Sequence, residues 1–499
     1  MIISRRKLLM GATVATASIL SLPRIRASAA GPFANPLKLP VLIEGTTGAG
    51  GKLFQLDVAA GKTEFLAGII TPTLGIKGTY LGPTIRCKAG DRVTLRVTNN
   101  LTEPTTLHWH GLHIPARYDG GPHQIVEPGA VWEPSFEIKQ KASLCWYHSH
   151  LMGRTGEQVL RGLAGLFLIE DEESRSLHLP SEYGVDDIPL IIQDRRFNRD
   201  GSFDYLSTMP DTMMGYKGNV ILVNGTVDPH FVLRRKRTRV RVLNGSNSRI
   251  YTLGRGDGAE LLVIGSDGSL LERLARMRRV RLGPGERVEL LIDMEPNQAI
   301  TLMSYPDPVA TGAMGRGMMM GGMAGNSETF PIIELRAAQL ETTDLALPER
   351  LIQVPNWTPA QAVRTRKFTL DMAMMGMGGM MGRRTMDGLM GINGRSMSKS
   401  RIDLQVQLGS IEIWEITNET PLAHTFHIHG IQFRVLDRDG APPPSNEQGL
   451  KDTVLVDPGS AVRIIAEFVD FADPEYPYMY HCHILEHEDA DMMGQFVVV

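Results

Sequence analysis

Ile411-Glu412-Ile413-Trp414-Glu415-Ile416-Thr417-Asn418 is an alternating run that closes on an asparagine, and His427-Ile428-His429-Gly430 begins nine residues after it. An earlier stretch repeats the phrase: Val93-Thr94-Leu95-Arg96-Val97-Thr98-Asn99, with His108-Trp109-His110-Gly111 beginning nine residues after Asn99. Apolar and polar residues alternating with a period of two mark a half-buried strand. Between these copies lies Val240-Arg241-Val242-Leu243-Asn244, which has the strand and the asparagine but no His-x-His after it. A Pro-Gly turn follows in every copy, at Pro128-Gly129, Pro284-Gly285 and Pro458-Gly459. The asparagines are 145 and 174 residues apart and the Pro-Gly turns 156 and 174, about one β-sandwich per repeat.

Working outward, the charged exit Asp171-Glu172-Glu173-Ser174 and a proline-bearing linker at 348–359 place boundaries near 175 and 345. The expected units are 30–175, 176–345 and 346–499, with residues 30–40 as an extended lead-in. Residues 1–29 read as a removable export signal. Ser4-Arg5-Arg6-Lys7-Leu8-Leu9 has the paired arginines of a twin-arginine signal, and Ala27-Ser28-Ala29 offers a small-residue cleavage site. That reading predicts a bacterial periplasmic protein delivered by the twin-arginine export machinery. The signal holds five basic side chains and no acid, so the remaining 470 residues carry 52 − 5 = 47 basic against 55 acidic groups, a net charge of −8. A nucleic-acid partner needs a basic footprint, which this balance excludes. No later apolar run reaches the length of a membrane-spanning helix. Three cysteines are too few for a disulfide scaffold. Cys87 and Cys145 read either as buried thiols or as a bridged pair.

Ten of the 14 histidines fall into four clusters: His108/His110, His148/His150, His424/His427/His429 and His481/His483/His487. On a strand, residues i and i+2 share a face, so each His-x-His presents two imidazoles side by side. In His481-Cys482-His483 the histidines face one way and the cysteine the other, so one strand serves two metal sites. His424, Cys482, His487 and Met492 make a two-His, one-Cys, one-Met set, the donor set of a blue-copper electron-transfer site. Eight histidines then remain, four from each terminal repeat, enough for a cluster of three coppers between two similar domains. Paired Cys-x₂₋₄-Cys for structural zinc and Glu-x-x-His for di-iron are both absent. His113, His123, His178 and His230 read as ordinary residues, and Arg273–Arg281 as a solvated strand edge.

The four motifs, His-x-His-Gly, Trp-Tyr-His-Ser-His, His-x-x-His-x-His and His-Cys-His-x₃-His-x₄-Met, resemble in this order those of the multicopper oxidases. That family includes laccases, bilirubin oxidases and bacterial copper-efflux oxidases. The resemblance spans the mature chain and implies an all-β fold of three consecutive cupredoxin-like Greek-key β-sandwich domains, the middle one without copper ligands. It implies four copper ions: type 1 on His424, Cys482, His487 and Met492; type 2 on His108 and His427. One type 3 copper would take His110, His148 and His483, the other His150, His429 and His481. The implied reaction is one-electron oxidation of a small reductant, with electrons passing through Cys482 and dioxygen reduced to water. Asp119 and Glu488 match acids that the family uses near its oxygen site.

Methionines bear on the reductant. Fifteen of 26 lie in two glycine-laced segments, six between Met303 and Met323 and nine between Met372 and Met397. Thioether sulfur selects Cu(I), and the second segment resembles the methionine-rich insert of the copper-efflux oxidases, with Met372, Met374, Met375 and Met377 as its Cu(I) candidates. The expected activity is therefore cuprous oxidation in copper tolerance, by a monomer. The chain departs from that subfamily at Thr420 and Leu422, where an acid and a methionine are usual. The alternatives are a laccase-type oxidase of phenols or bilirubin, and a copper-storage or scaffold protein without turnover. A scaffold that had lost copper would lack several of the twelve ligands, all of which are present here.

Overall fold

The asparagine that closes each repeated strand makes the same hydrogen bonds three times over. The Nδ2 of Asn99 donates to the carbonyls of Glu103 and Val126, that of Asn244 to Arg249 and Leu282, and that of Asn418 to Leu422 and Val456. Each Oδ1 accepts from the backbone N–H two residues on, at Leu101, Ser246 and Thr420. Each asparagine carbonyl accepts from the glycine of its Pro-Gly turn, at 2.7–2.9 Å. The two motifs recur together because they are two halves of one buried corner. Each such bond contributes about 1 kcal/mol, and more is lost when a buried partner is left unpaired.

The computed structural model describes residues 32–309, 328–341, 346–372 and 390–499. Its strands form three β-sandwiches, each of two facing sheets. In the first, a six-stranded sheet with Arg92–Asn99 faces a four-stranded sheet with Ser143–His148 and Ala164–Glu170. In the middle one, Arg237–Asn244 lies at the centre of a seven-stranded sheet. In the third, Ile411–Asn418 is central to one five-stranded sheet and Asp473–Cys482 to the other. The fold is the expected one, all-β with three consecutive cupredoxin-like Greek-key sandwiches. Each has its own apolar core, around Phe54, Leu56 and Val97, around Val240, Val242 and Leu290, and around Trp414, Phe426 and Phe496.

Lead-in residues Asn35–Pro36 pair in parallel with Pro229 and His230 of the middle sandwich. Leu270–Met277 forms the outer strand of the seven-stranded sheet, with Arg273 and Arg276 exposed, as a protected edge requires. Cys87 and Cys145 are buried and unbridged. The expected signal, residues 1–29, lies outside the described residues.

The first and third sandwiches are joined through two short helices. Asp489, at the end of the short helix Leu485–Asp489, accepts at 2.8 Å from the backbone N–H groups of Thr155 and Gly156, which open the helix Thr155–Arg161. A carboxylate there satisfies helix-start donors that would otherwise be left unpaired.

Candidate metal centre

Strand parity sorts the histidines of the third sandwich. The strands His424–Ile428 and Asp473–Cys482 pair antiparallel, with Phe426 opposite Cys482 and His427 opposite His481. Phe426, Ile428 and Cys482 point into the third core, and His424 shares their parity. His427 and His481 point the other way, towards the first sandwich. One strand pair thus feeds two sites on opposite faces.

On the core side, Nδ1 of His424 lies 3.2 Å from Sγ of Cys482 and 3.3 Å from Nδ1 of His487, with 3.8 Å between Cys482 Sγ and His487 Nδ1. All three residues are buried. The far nitrogens are tied: His424 Nε2–H donates to Thr420 Oγ1 at 2.7 Å, and His487 Nε2–H to the Met213 carbonyl at 3.1 Å. Thr420 can accept because its own hydroxyl donates to Asn418 Oδ1 at 2.8 Å. Both imidazoles therefore turn a Nδ1 lone pair towards the sulfur. Met492 is fully buried in the same core, its backbone bonded to those of Cys482 and His487.

On the other face, eight histidines from the first and third sandwiches converge. His108 Nδ1–H donates to the Asp119 carbonyl at 2.9 Å and His427 Nδ1–H to the Asp452 carbonyl at 2.8 Å, leaving their Nε2 atoms facing each other at 3.5 Å. His429 Nδ1–H donates to Asp119 Oδ2 at 2.6 Å, and His481 Nδ1–H to the Cys482 carbonyl at 3.0 Å. The Nε2 of His481 then meets those of His429 and His150 at 3.1 and 3.2 Å. His148 Nδ1–H donates to the Ser149 carbonyl, and His110 Nε2–H reaches Asp452 Oδ1 at 3.1 Å. The ring of His483 lies 4.9 Å from that of His110 and 5.3 Å from that of His148, between centroids.

Compared with the sequence expectation, His424/Cys482/His487 and His150/His429/His481 converge as complete sets of three, and His108 meets His427. His110 and His148 converge with His108, while His483 stands further off, beside both.

These side chains fit a set of metal ions. Two lone pairs facing each other at 3.1–3.5 Å repel unless a cation lies between them. The far nitrogens, fixed by carbonyl or carboxylate acceptors, impose that orientation in the way metal-bound histidines are held. Burial pushes His481 and His487 down to about 4, and burial with neighbouring imidazoles pushes the rest of the cluster well below the usual histidine value. The rings are thus neutral at pH 7, the form that binds metal. His110 Nδ1, His148 Nε2 and both nitrogens of His483 are buried with no hydrogen-bond partner. At about 1–3 kcal/mol per unpaired polar group, such a cluster is costly unless ligated. A His₂Cys set with a buried methionine suits copper better than zinc or iron.

Two carboxyls line this cluster. Besides its bond to His429, Asp119 approaches His108 Nδ1 at 3.5 Å through Oδ1. Glu488 places Oε1 3.2 Å from His150 Nδ1 and Oε2 3.4 Å from His481 Nδ1. Burial holds both well above the usual carboxylate range. Met372, the last residue of the strand Arg364–Met372, is half-buried against the third core, and Met374, Met375 and Met377 lie outside the described residues.

Sequence reasoning missed the middle sandwich's part in the site. Glu486 accepts from Tyr216 N–H, Asn247 Nδ2 and the Tyr205 hydroxyl, which seats residues 205–216 on the His487 helix. A backbone acceptor such as the Met213 carbonyl has no residue-type signature. Met209, Met213 and Met214 on the short helix Met209–Met214 were the available cue, and they fall outside both methionine-rich segments. Also missed was Arg287, whose guanidinium grips the Asp452 carboxylate through two bonds of 2.6 and 2.5 Å, both residues fully buried. Removing one partner of such a pair typically costs about 3–5 kcal/mol.

Two sequence models described as multicopper oxidase match the chain, over residues 57–174 and 367–499. A Staphylococcus aureus protein named multicopper oxidase mco is 36% identical over 455 residues, covering 90% of this chain and 89% of that protein. A Sodalis glossinidius protein named cell division protein FtsP is 37% identical over 505 residues, covering 100% of this chain and 99% of its own. A solved structure from Ochrobactrum sp. is described as a laccase-like multi-copper oxidase, CueO, active towards lignin model compounds and lignosulfonate. It aligns with a TM-score of 0.82 at 36% identity, covering 93% of this chain and all of that one. A Campylobacter jejuni multicopper oxidase, described as a metallo-oxidase, aligns with a TM-score of 0.81 at 29% identity, covering 94% and 96%. Similarity of this extent, in sequence and in fold, makes the chain a member of the multicopper oxidase family, a copper-dependent oxidoreductase that couples oxidation of a reductant to reduction of dioxygen.

Proposed function

We propose that the reductant is Cu(I), that the protein works in copper tolerance after export to the periplasm, and that it acts as a monomer of three domains, 30–175, 176–345 and 346–499. The observation that carries the choice of reductant is the concentration of thioethers, nine of 26 methionines between Met372 and Met397, in the domain that holds the His₂Cys site. No helix among the described residues is long and apolar enough to cross a membrane.

His424, Cys482, His487 and Met492 would hold a type 1 copper, and His108 with His427 a type 2 copper. His110, His148 and His483 would hold one type 3 copper, and His150, His429 and His481 the other. When bound, the four coppers supply one-electron acceptance at the first site and four-electron reduction of dioxygen to water at the other three. The chain's own contribution is geometric and protic. Carbonyl, carboxylate and hydroxyl acceptors keep the lone pairs of the imidazoles inward, His483 excepted, and Cys482 is joined by peptide bonds to His481 and His483, the shortest covalent path between the two sites. Water formation consumes protons, and Asp119 and Glu488 are buried carboxyls beside four of the eight histidines, placed to hold and deliver them. Asp119→Asn and Glu488→Gln should each slow oxygen consumption about 10–100-fold while leaving the visible absorption of the Cys482 site in place. Unchanged rates would remove both from the proton supply.

Deletion of residues 373–389 tests the reductant. Cu(I) oxidation should fall about tenfold, or about 1.4 kcal/mol, while oxidation of a bulky phenol stays level or rises. Unchanged Cu(I) kinetics would favour a laccase-type oxidase, a reading that the Ochrobactrum relative supports. The full-length similarity to FtsP favours a second reading, a cell-division protein that acts by binding. Copper-loaded protein that consumed no oxygen with either Cu(I) or a phenol would support it.

A further inference from the structure

The middle sandwich supplies no copper ligand, yet one of its turns reaches the histidine cluster at two points. Gly285, of the Pro-Gly turn, has φ +81°, and a Cβ on it would lie 3.1 Å from Cδ2 and Nε2 of His483. Two residues on, the Arg287 guanidinium holds Asp452, which in turn accepts from His110 Nε2–H. Arg287 also donates through Nε to the carbonyl of Leu144, on the strand that ends at His148, at 2.7 Å, and to the carbonyls of Gly285 and Asp267 at 3.1 Å. One turn therefore touches the surroundings of His110, His148 and His483 together. This is also the ligand set whose nitrogens do not converge as three among the described residues.

We infer that the turn Gly283–Arg287 is a clamp by which the ligand-free middle domain shapes the His110/His148/His483 half of the cluster and so sets copper loading there, with Gly285 and Arg287 as positioning residues. The inference rests on the ligand reading proposed above. Arg287 grips both oxygens of Asp452, a fork that lysine cannot reproduce; the carboxylate then fixes His110 with its Nδ1 lone pair inward. Gly285 leaves room for the His483 ring, which has no hydrogen bond from either nitrogen. The equivalent turns of the other two repeats provide internal controls. Gly129 and Gly459 have φ +77° and +70°, and a Cβ on either meets nothing within 4 Å. Alanine at all three positions meets similar backbone strain, but only at 285 does it meet an imidazole.

The test is copper content per chain, by metal analysis after loading the apoprotein, together with the visible absorption of the Cys482 site and circular dichroism to check folding. Gly285→Ala and Arg287→Lys should each lose about one copper per chain with the visible band undiminished, since a thiolate–copper band reports the other face of the strand. Gly129→Ala and Gly459→Ala should load as the parent does. If Arg287→Lys does not fold, Asp452→Asn takes its place with the same expectation. The clamp is overturned if Gly285→Ala loads fully, if the visible band falls in step with total copper, or if all three glycine variants lose copper equally. A parent protein that takes up only one copper would overturn the ligand reading itself, and the clamp with it.

Discussion

Cys482→Ser should abolish the visible absorption band and lower turnover with any reductant by about 10³-fold or more, equivalent to about 4 kcal/mol, while about three coppers stay bound. The reason is the position of the sulfur. It lies 3.2 Å from His424 Nδ1 and 3.8 Å from His487 Nδ1, fully buried in the third core. Serine fills nearly the same space, so the strand Asp473–Cys482 and its pairing should survive. It does not replace a soft thiolate as a copper ligand. His481 and His483 lie on the opposite face and keep their surroundings, so loss of the first site need not empty the second. The measurements are a visible spectrum, metal analysis and oxygen uptake. A variant that turned over at the parent rate would show that electrons bypass Cys482.

Stripping the copper with a chelator should lower the thermal midpoint by about 10 °C. This follows from about 4 kcal/mol of stabilisation by ligand held at a thousand times its Kd and the usual response of a domain of this size. Without metal, His429 and His481 face each other lone pair to lone pair at 3.1 Å, and His108 faces His427 at 3.5 Å. Four further ring nitrogens, on His110, His148 and His483, are buried and unpartnered. The donors come from both terminal sandwiches, so the loss should weaken their seam and not a single core. Differential scanning calorimetry of apo and reloaded protein measures the shift. Equal midpoints would mean that the cluster relaxes without cost when empty.

What could be read in the sequence, and what could not, divides along a physical line. The threefold corner was legible because Asn99, Asn244 and Asn418 each satisfy three backbone groups, and no other side chain does that with one amide in that space. The histidine sets were legible because strand parity is carried by spacing alone, so His427/His429 and His481/His483 announce a common face. Tertiary partners were not. The Met213 carbonyl on His487 and the Arg287–Asp452 pair depend on how the middle sandwich docks, and the arginine sits in a strand where alternation predicts only a polar residue. Nor does spacing tell which ring nitrogen points inward. His110 uses Nε2 for Asp452, whereas His427 uses Nδ1 for a carbonyl, and each choice is made by a neighbour distant in the chain.

The meeting of the first and third sandwiches has a consequence for biosynthesis. His108 and His483 are separated by 483 − 108 = 375 residues, which a ribosome takes on the order of 20–75 s to add. Throughout that interval the nascent chain offers the imidazoles of its first sandwich without their counterparts in the third. The eight-histidine cluster therefore cannot close until His483 has been added, and a chain that stops short of His481 lacks two of its imidazoles.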